Sequence, residues 1–242
     1  MKKHEKLQAM PLGSHLAELR SRVLRALAAF ALAAFVCYLF RHSLYDVMAA
    51  PLMRALGSGH MIYTRVTEAF VSEVSLVLSA AFFITKPYMV LQAWRFVSPG
   101  LYKGERRRAL PYVVSAVALF FAGAAFCYFL VLPPALRFLV DFVPPAEVGM
   151  PLVAMPRISE YFDLSLSLMR SFGTCFMFPA GVVLLGRMGI LSRDLMVRGR
   201  KWALLAAFAI GAMLTPPDVA SQFMLAVPLY ALYEVSLLFV GK

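Results

Sequence analysis

Two carboxylates stand out by the company they keep. Glu105 is the single acid in VSPGLYKGERRR, Val97 to Arg108, where it sits among Lys103, Arg106, Arg107 and Arg108 between two long apolar runs. Glu18 lies in HLAELRSR beside Arg20 and Arg22, just before the first apolar run. Basic residues in such places need no special function, because the cytoplasmic flanks of membrane-spanning segments are rich in Lys and Arg. A lone acid among them has no such explanation. Facing one compartment, the two carboxylates can together receive a cationic partner.

Other polar groups lie within or beside apolar runs, where they are rare and usually functional, although some only pair helices. Lys86 falls mid-run and must snorkel or face the protein interior. Asp218 follows Pro217 and can N-cap the final helix as readily as it can act. Gln222 lies one turn further on the same face and can meet a polar group of a partner helix. Glu234 is near the end of the chain, where Lys242 or interfacial water can satisfy it, so packing is its simpler reading. Cys37, Cys127 and Cys175 each sit inside an apolar run with no CxxC, and His4, His15, His42 and His60 form no HExxH, so no metal site is expected. No cofactor is expected either, and no phosphate-binding loop, GxSxG or paired His and Asp suggests an ATP-driven or hydrolytic enzyme.

The elements that position these groups follow from hydropathy. With 242 residues, 61% of them hydrophobic and 15% charged, the chain is more apolar than a soluble domain of this length can bury. The mean hydropathy of +0.74 agrees. It reads as an all-α polytopic membrane protein, one domain over 1–242. The net charge of +11 comes in short clusters between apolar runs, with no basic face interleaved with aromatics, so no nucleic-acid partner is expected. A span needs ~20 apolar residues, and six are expected at about 23–40, 71–96, 110–132, 161–188, 202–214 and 219–240.

Before the first span, residues 1–13 read as a tail, with Ser14 as an N-cap. Leu16, Leu19, Val23 and Leu27 then form one face of a helix, while Glu18, Arg22 and Arg25 recur on another. Arg41 to Phe70 reads as an outer loop with a short helix. Pro133 and Pro134 are expected to end the third span, residues 135–160 form a second outer loop, and Gly173 and Pro179 break the fourth span. The fifth has only 13 apolar or glycine positions before Thr215-Pro-Pro-Asp218 turns the chain. At 1.5 Å per residue it covers about 20 Å of a ~30 Å core, so flanking residues join it or the bilayer thins. Seventeen of the 24 Lys and Arg residues fall at the two ends or flank the connections after spans two and four, which places both termini in the cytoplasm.

Four stretches together resemble the TatC family of twin-arginine protein translocase subunits. They are HLAELRSRV (His15 to Val23), FVSPGLYKGERR (Phe96 to Arg107), LPYVVSAVALFFAGAAFCYFLVLP (Leu110 to Pro133) and GAMLTPPDVASQFMLAVPLYALYE (Gly211 to Glu234). The resemblance implies a six-span, concave receptor in the bacterial inner membrane. Such a receptor binds signal peptides bearing consecutive arginines on folded precursors. It works with TatA- and TatB-type partners in a multimeric complex driven by the protonmotive force, among membrane lipids.

By the same resemblance Glu18 and Glu105 are the arginine contacts, with Arg20, Phe96, Pro99, Leu101 and Tyr102 on the same inner surface. A carboxylate accepts a planar guanidinium bidentately, so two acids can tell an arginine pair from lysines. At one point the chain departs from the family: where a glutamate commonly precedes the proline of the fourth span, this chain has Met177 in SFGTCFMFP. Asp218 and Gln222 are then the remaining polar candidates for partner helices on that face. The competing class is a small secondary transporter using Lys86, Asp218 and Glu234, which a shared midplane cavity would favour.

Overall fold

The computed structural model describes residues 12–57, 61–100, 103–141, 155–189, 191–214 and 219–240, without the side chains of 12, 103–108, 141, 214 and 219–221. Nine α-helices make up nearly all of it: α1 (Leu12–Leu39), α2 (Arg41–Leu56), α3 (Glu68–Val97), α4 (Lys103–Phe126), α5 (Leu132–Asp141), α6 (Ile158–Phe176), α7 (Phe178–Arg187), α8 (Arg193–Leu214) and α9 (Val219–Phe239). Five stretches among the described residues are long and apolar enough to cross a membrane, namely Gly13–Leu39, Glu68–Val97, Ala109–Val140, Ile158–Arg187 and Gln222–Phe239. Helix α8 is outside that set because Arg193, Asp194, Arg198, Arg200 and Lys201 crowd its first turns. Ser14 lies inside α1 and is not its cap.

Prolines that were expected to stop helices are absorbed. Pro133 and Pro134 remove the amide donors of the Phe129 and Leu130 carbonyls. The chain answers with one π-helical stretch, Cys127–Val131, in which the Leu132 amide donates to the Cys127 carbonyl, and α5 then continues to Asp141. The third apolar stretch is therefore a helix well beyond residue 132. The connection between α1 and α3 holds a full 16-residue helix, α2, with Pro51 inside it. Pro51 orphans the Val47 carbonyl, and the Tyr128 hydroxyl from the π-helical stretch donates to it at 2.6 Å.

Gly173 does not break the fourth span either. A Cβ on Gly173 would lie 2.7 Å from the Phe120 ring, and one on Gly123 would lie 2.6 Å from the Phe172 carbonyl. The two glycines let α4 and α6 cross with their backbones close, as small residues do in membrane bundles. The break falls at Met177, one residue before α7, whose first turn carries Pro179.

The main core lies between α2, the α4 to α5 helix, α6 and α9, around the fully buried Phe162, Phe172 and Leu225. At the end of the bundle away from the α3 to α4 turn, Ile62 and Arg157 form a β-bridge joining the connection before α3 to the one before α6. Glu68 reinforces it. One carboxylate oxygen accepts the amides of Thr64 (2.8 Å) and Arg65 (3.3 Å) and the Thr64 hydroxyl (3.2 Å), while the other accepts the Ser159 hydroxyl (2.7 Å) and amide (3.4 Å). Helix α1 stands at the margin, packed on α3 through Cys37, Val77 and Ala81.

Candidate functional site

Spacing alone puts His15, Glu18 and Arg22 on one face of α1, at steps of three and four. That face meets α3, where Gln92 and Phe96 are also four apart. The His15 ring stacks on Phe96 with centroids 4.3 Å apart and planes inclined by 19°. The Arg22 guanidinium donates to Glu18 Oε1, from Nε at 3.0 Å and again from Nη2. It also reaches the buried Gln92 through Nη1 at 3.5 Å. An acid four residues before a base is the favourable order on a helix. Here the pair does more than stabilise α1, because it ties the carboxylate to α3.

Both Arg22 contacts converge on Oε1, and Oε2 has no partner among the described residues. The Glu18 and Arg22 side chains retain 25% and 17% of their exposure, so a ligand can reach the carboxylate while solvent screening is reduced. The arrangement suits a second guanidinium at Oε2 beside the aromatic His15 and Phe96 pair.

The expected site residues fall in different places. Glu18 and Phe96 come together in this cluster. Pro99 is exposed in the short 3₁₀ turn Ser98–Gly100 that ends α3. Arg20, two residues from Glu18, lies on another side of α1 and is exposed. Glu105 is on the first turn of α4, with its side chain outside the described set. Leu101, Tyr102 and Asp218 are outside the described residues. His15, Arg22 and Gln92 were missed as site residues; the repeat at 15, 18 and 22 was the signal that could have found the first two, and Gln92 had none.

The intramembrane candidates separate. Gln222 donates from Nε2 to the Phe208 carbonyl at 3.1 Å, and Gly211 lets α8 approach it closely, so it fastens the α8 to α9 hairpin. Glu234 binds Arg200 Nη2 at 2.8 Å and the Tyr230 hydroxyl at 2.9 Å, and the expected partner Lys242 lies outside the described residues. Lys86 sits against aromatic rings, so Lys86 and Glu234 do not share a site. Met177 is half-buried at the break between α6 and α7. Nearby Thr174 and Phe178 line an apolar groove of about 530 Å³ with Trp202, Ala206, Ile210 and Leu229. No group of His, Cys, Asp or Glu among the described residues could hold a metal.

A family model described as "Sec-independent protein translocase protein (TatC)" matches residues 14–228. The protein of that name from Desulforapulum autotrophicum is 36% identical, over 94% of this chain and 83% of its own length. Its counterpart from Escherichia coli K12 is 37% identical, over 96% and 90%. A crystal structure titled as the twin-arginine translocase receptor TatC superposes with a TM-score of 0.79 at 31% identity, covering 93% of this chain and 97% of that one. A second, in DDM, gives 0.82 at 30% identity, covering 94% and 100%.

Proposed function

The chain belongs to the TatC family of Sec-independent protein translocase proteins, and from that premise we propose that its α1 to α3 cluster reads the arginine pair of a signal peptide. As a family member it is a multi-pass membrane component of a protein translocase and not an enzyme. The observation that carries the proposal is the half-occupied Glu18 carboxylate, held by Arg22 through Oε1 with Oε2 free of described partners, on the face of α1 whose His15 stacks on Phe96.

In this reading Glu105, from the connection that opens α4, supplies the second carboxylate. Pro99, Leu101 and Tyr102 shape the surface between them, and Arg20 tunes its potential. Exposed ion pairs contribute only ~0 to 1 kcal/mol each. Useful selection of arginine pairs therefore depends on partial shielding by the membrane surface and the docked peptide.

The working topology has six spans, with α8 as the short fifth, both termini in the cytoplasm and the chain in the bacterial inner membrane. Signal-peptide-bearing folded precursors and TatA- and TatB-type single-span subunits are its partners in a multimeric complex. The apolar groove beside Met177, with Gln222 of α9 and the sequence candidate Asp218 as its polar groups, is the surface assigned to those subunits.

The test is photo-crosslinking of a twin-arginine precursor to the full chain in membranes. Glu18→Gln with Glu105→Gln should lower the yield at least about tenfold, the equivalent of ~1.4 kcal/mol. Undiminished crosslinking in the double variant would remove the site.

A further inference from the structure

At the centre of the bundle's height lies a cation that the carboxylate pair does not use. Helix α3 has 30 residues, about 45 Å at 1.5 Å each, and Phe82 stands at its midpoint. The Lys86 amino group lies 4.6 Å from the centroid of the Phe82 ring and 4.8 Å from that of the Phe120 ring of α4. It is thereby directed back along α3 toward mid-depth, about 20 Å from either end of the helix and away from both headgroup layers. Ring faces attract an ammonium, but they accept no second set of hydrogen bonds. Lys86 has neither a hydrogen bond nor a carboxylate partner among the described residues. An ammonium in hydrocarbon without an anion is costly.

One turn beyond Lys86 on the same side of α3, a groove opens between α3, α4 and α7. Val90, Ala93 and Val97 continue the Lys86 face of α3 at helical steps, and Ala116 precedes Phe120 by one turn on α4. With Ala180 and Gly181 of α7 they line an apolar space of about 260 Å³. Nothing lies within 4 Å of a Cβ built on Gly181. Such small-residue walls let a helix backbone approach closely.

We propose that this groove docks a membrane-spanning helix of another subunit, one that carries a carboxylate at mid-depth as the counter-ion of Lys86. Three other sources of the anion fail. A lipid tail fills the groove but brings no charge to that depth, and a phosphate lies too far toward the surface. A second copy of this chain has no free described carboxylate there: Glu73 pairs with Arg41 at 2.9 Å, Glu234 pairs with Arg200, and Asp163 is only about 7 Å below the outer end of α6. The proposal does not rest on the arginine-reading cluster, which is a separate site.

The test uses the full chain in lipid nanodiscs, donor-labelled at its C-terminus, and a synthetic acceptor-labelled Leu-Ala spanning helix with one central glutamate or, as control, glutamine. Energy transfer should show the glutamate peptide binding about threefold to thirtyfold more tightly than the glutamine peptide. Lys86→Met should abolish that preference and Lys86→Arg should keep it, with thermal unfolding confirming that both variants are folded. Ala93→Leu and Ala116→Leu, which fill the groove, should reduce binding of the glutamate peptide. Equal binding of the two peptides, a preference that survives Lys86→Met, or indifference to the groove-filling variants would each overturn the proposal. A preference lost in Arg170→Gln but kept in Lys86→Met would assign the anion to the other intramembrane cation and overturn it equally.

Discussion

Arg22 poses a sign problem that magnitudes resolve. As a cation beside Glu18 it repels an incoming arginine, yet it also fixes the carboxylate by two contacts to Oε1 and one to Gln92. Exposed charge pairs contribute ~0 to 1 kcal/mol, while a bidentate guanidinium site is geometrically demanding and distinguishes Arg from Lys. Repulsion therefore acts on any cationic peptide, and orientation acts on selectivity. We expect Arg22→Gln to bind an arginine-pair and a lysine-pair peptide at least as tightly at low salt, but to lose about threefold or more of the preference between them. Fluorescence anisotropy with the two peptides measures the ratio, and an unchanged ratio means that Arg22 does not hold the site. The lone acids were legible because a carboxylate among bases contradicts the topological pattern. Gln92 was not, since an amide inside an apolar run signals nothing until α1 is laid against α3. Helical spacing had already placed Glu18 and Arg22 together on one face, but not their mutual contact.

Among the elements, expectations failed where Pro133, Pro134 and Gly173 were read as breakers, and held at Pro179, beside which the helix breaks at Met177. Composition suggests where a backbone bond is lost, but not whether a neighbour replaces it. At Pro51 the Tyr128 hydroxyl restores the Val47 carbonyl's partner, and before Pro133 a π turn reroutes the ladder. Gly173 and Gly123 are contact points, which only the facing Phe120 and Phe172 reveal. Gly123→Ala would drive a methyl to 2.6 Å from a backbone carbonyl that cannot rotate away. It should destabilise the purified protein by about 1–3 kcal/mol, as overpacking does, and a thermal midpoint within a degree of the parent's would refute the close crossing. The latch at Glu68 offers a second check. Glu68 binds two segments 91 residues apart through five hydrogen bonds. Glu68→Ala should accelerate amide exchange at Thr64, Arg65 and Ser159 together, leaving the α4 to α6 crossing protected. Acceleration at the crossing as well would make Glu68 a global support instead of a local latch.

For the whole molecule, the decisive feature is unequal length. Helices α6 and α7 together run from Ile158 to Arg187, about 45 Å, whereas α9 has 21 residues, about 31 Å. A Cβ on Gly186 would meet Val240 at 2.7 Å, so the C-terminal ends of α7 and α9 are level. The described start of α9, Val219, then lies about 14 Å short of the Ile158 end of α6 along the helix axis. The sequence already showed a fifth apolar run of 13 positions, but not which leaflet the deficit falls in; the Gly186 to Val240 contact assigns it to the leaflet at the Ile158 end. Met213, 84% exposed near the hairpin tip, gives the surrounding lipid an apolar surface at that reduced depth. Mismatch costs fractions of a kcal/mol per Å, so bilayer thickness should matter more for this hairpin than for the full-length spans. Reconstituted into bilayers of C22 instead of C16 acyl chains, the protein should show faster amide exchange in α8 and α9, with α3 and α6 unchanged. Equal exchange in both lipids, or loss of protection throughout the bundle, would mean that the hairpin is not the element setting the membrane's local thickness.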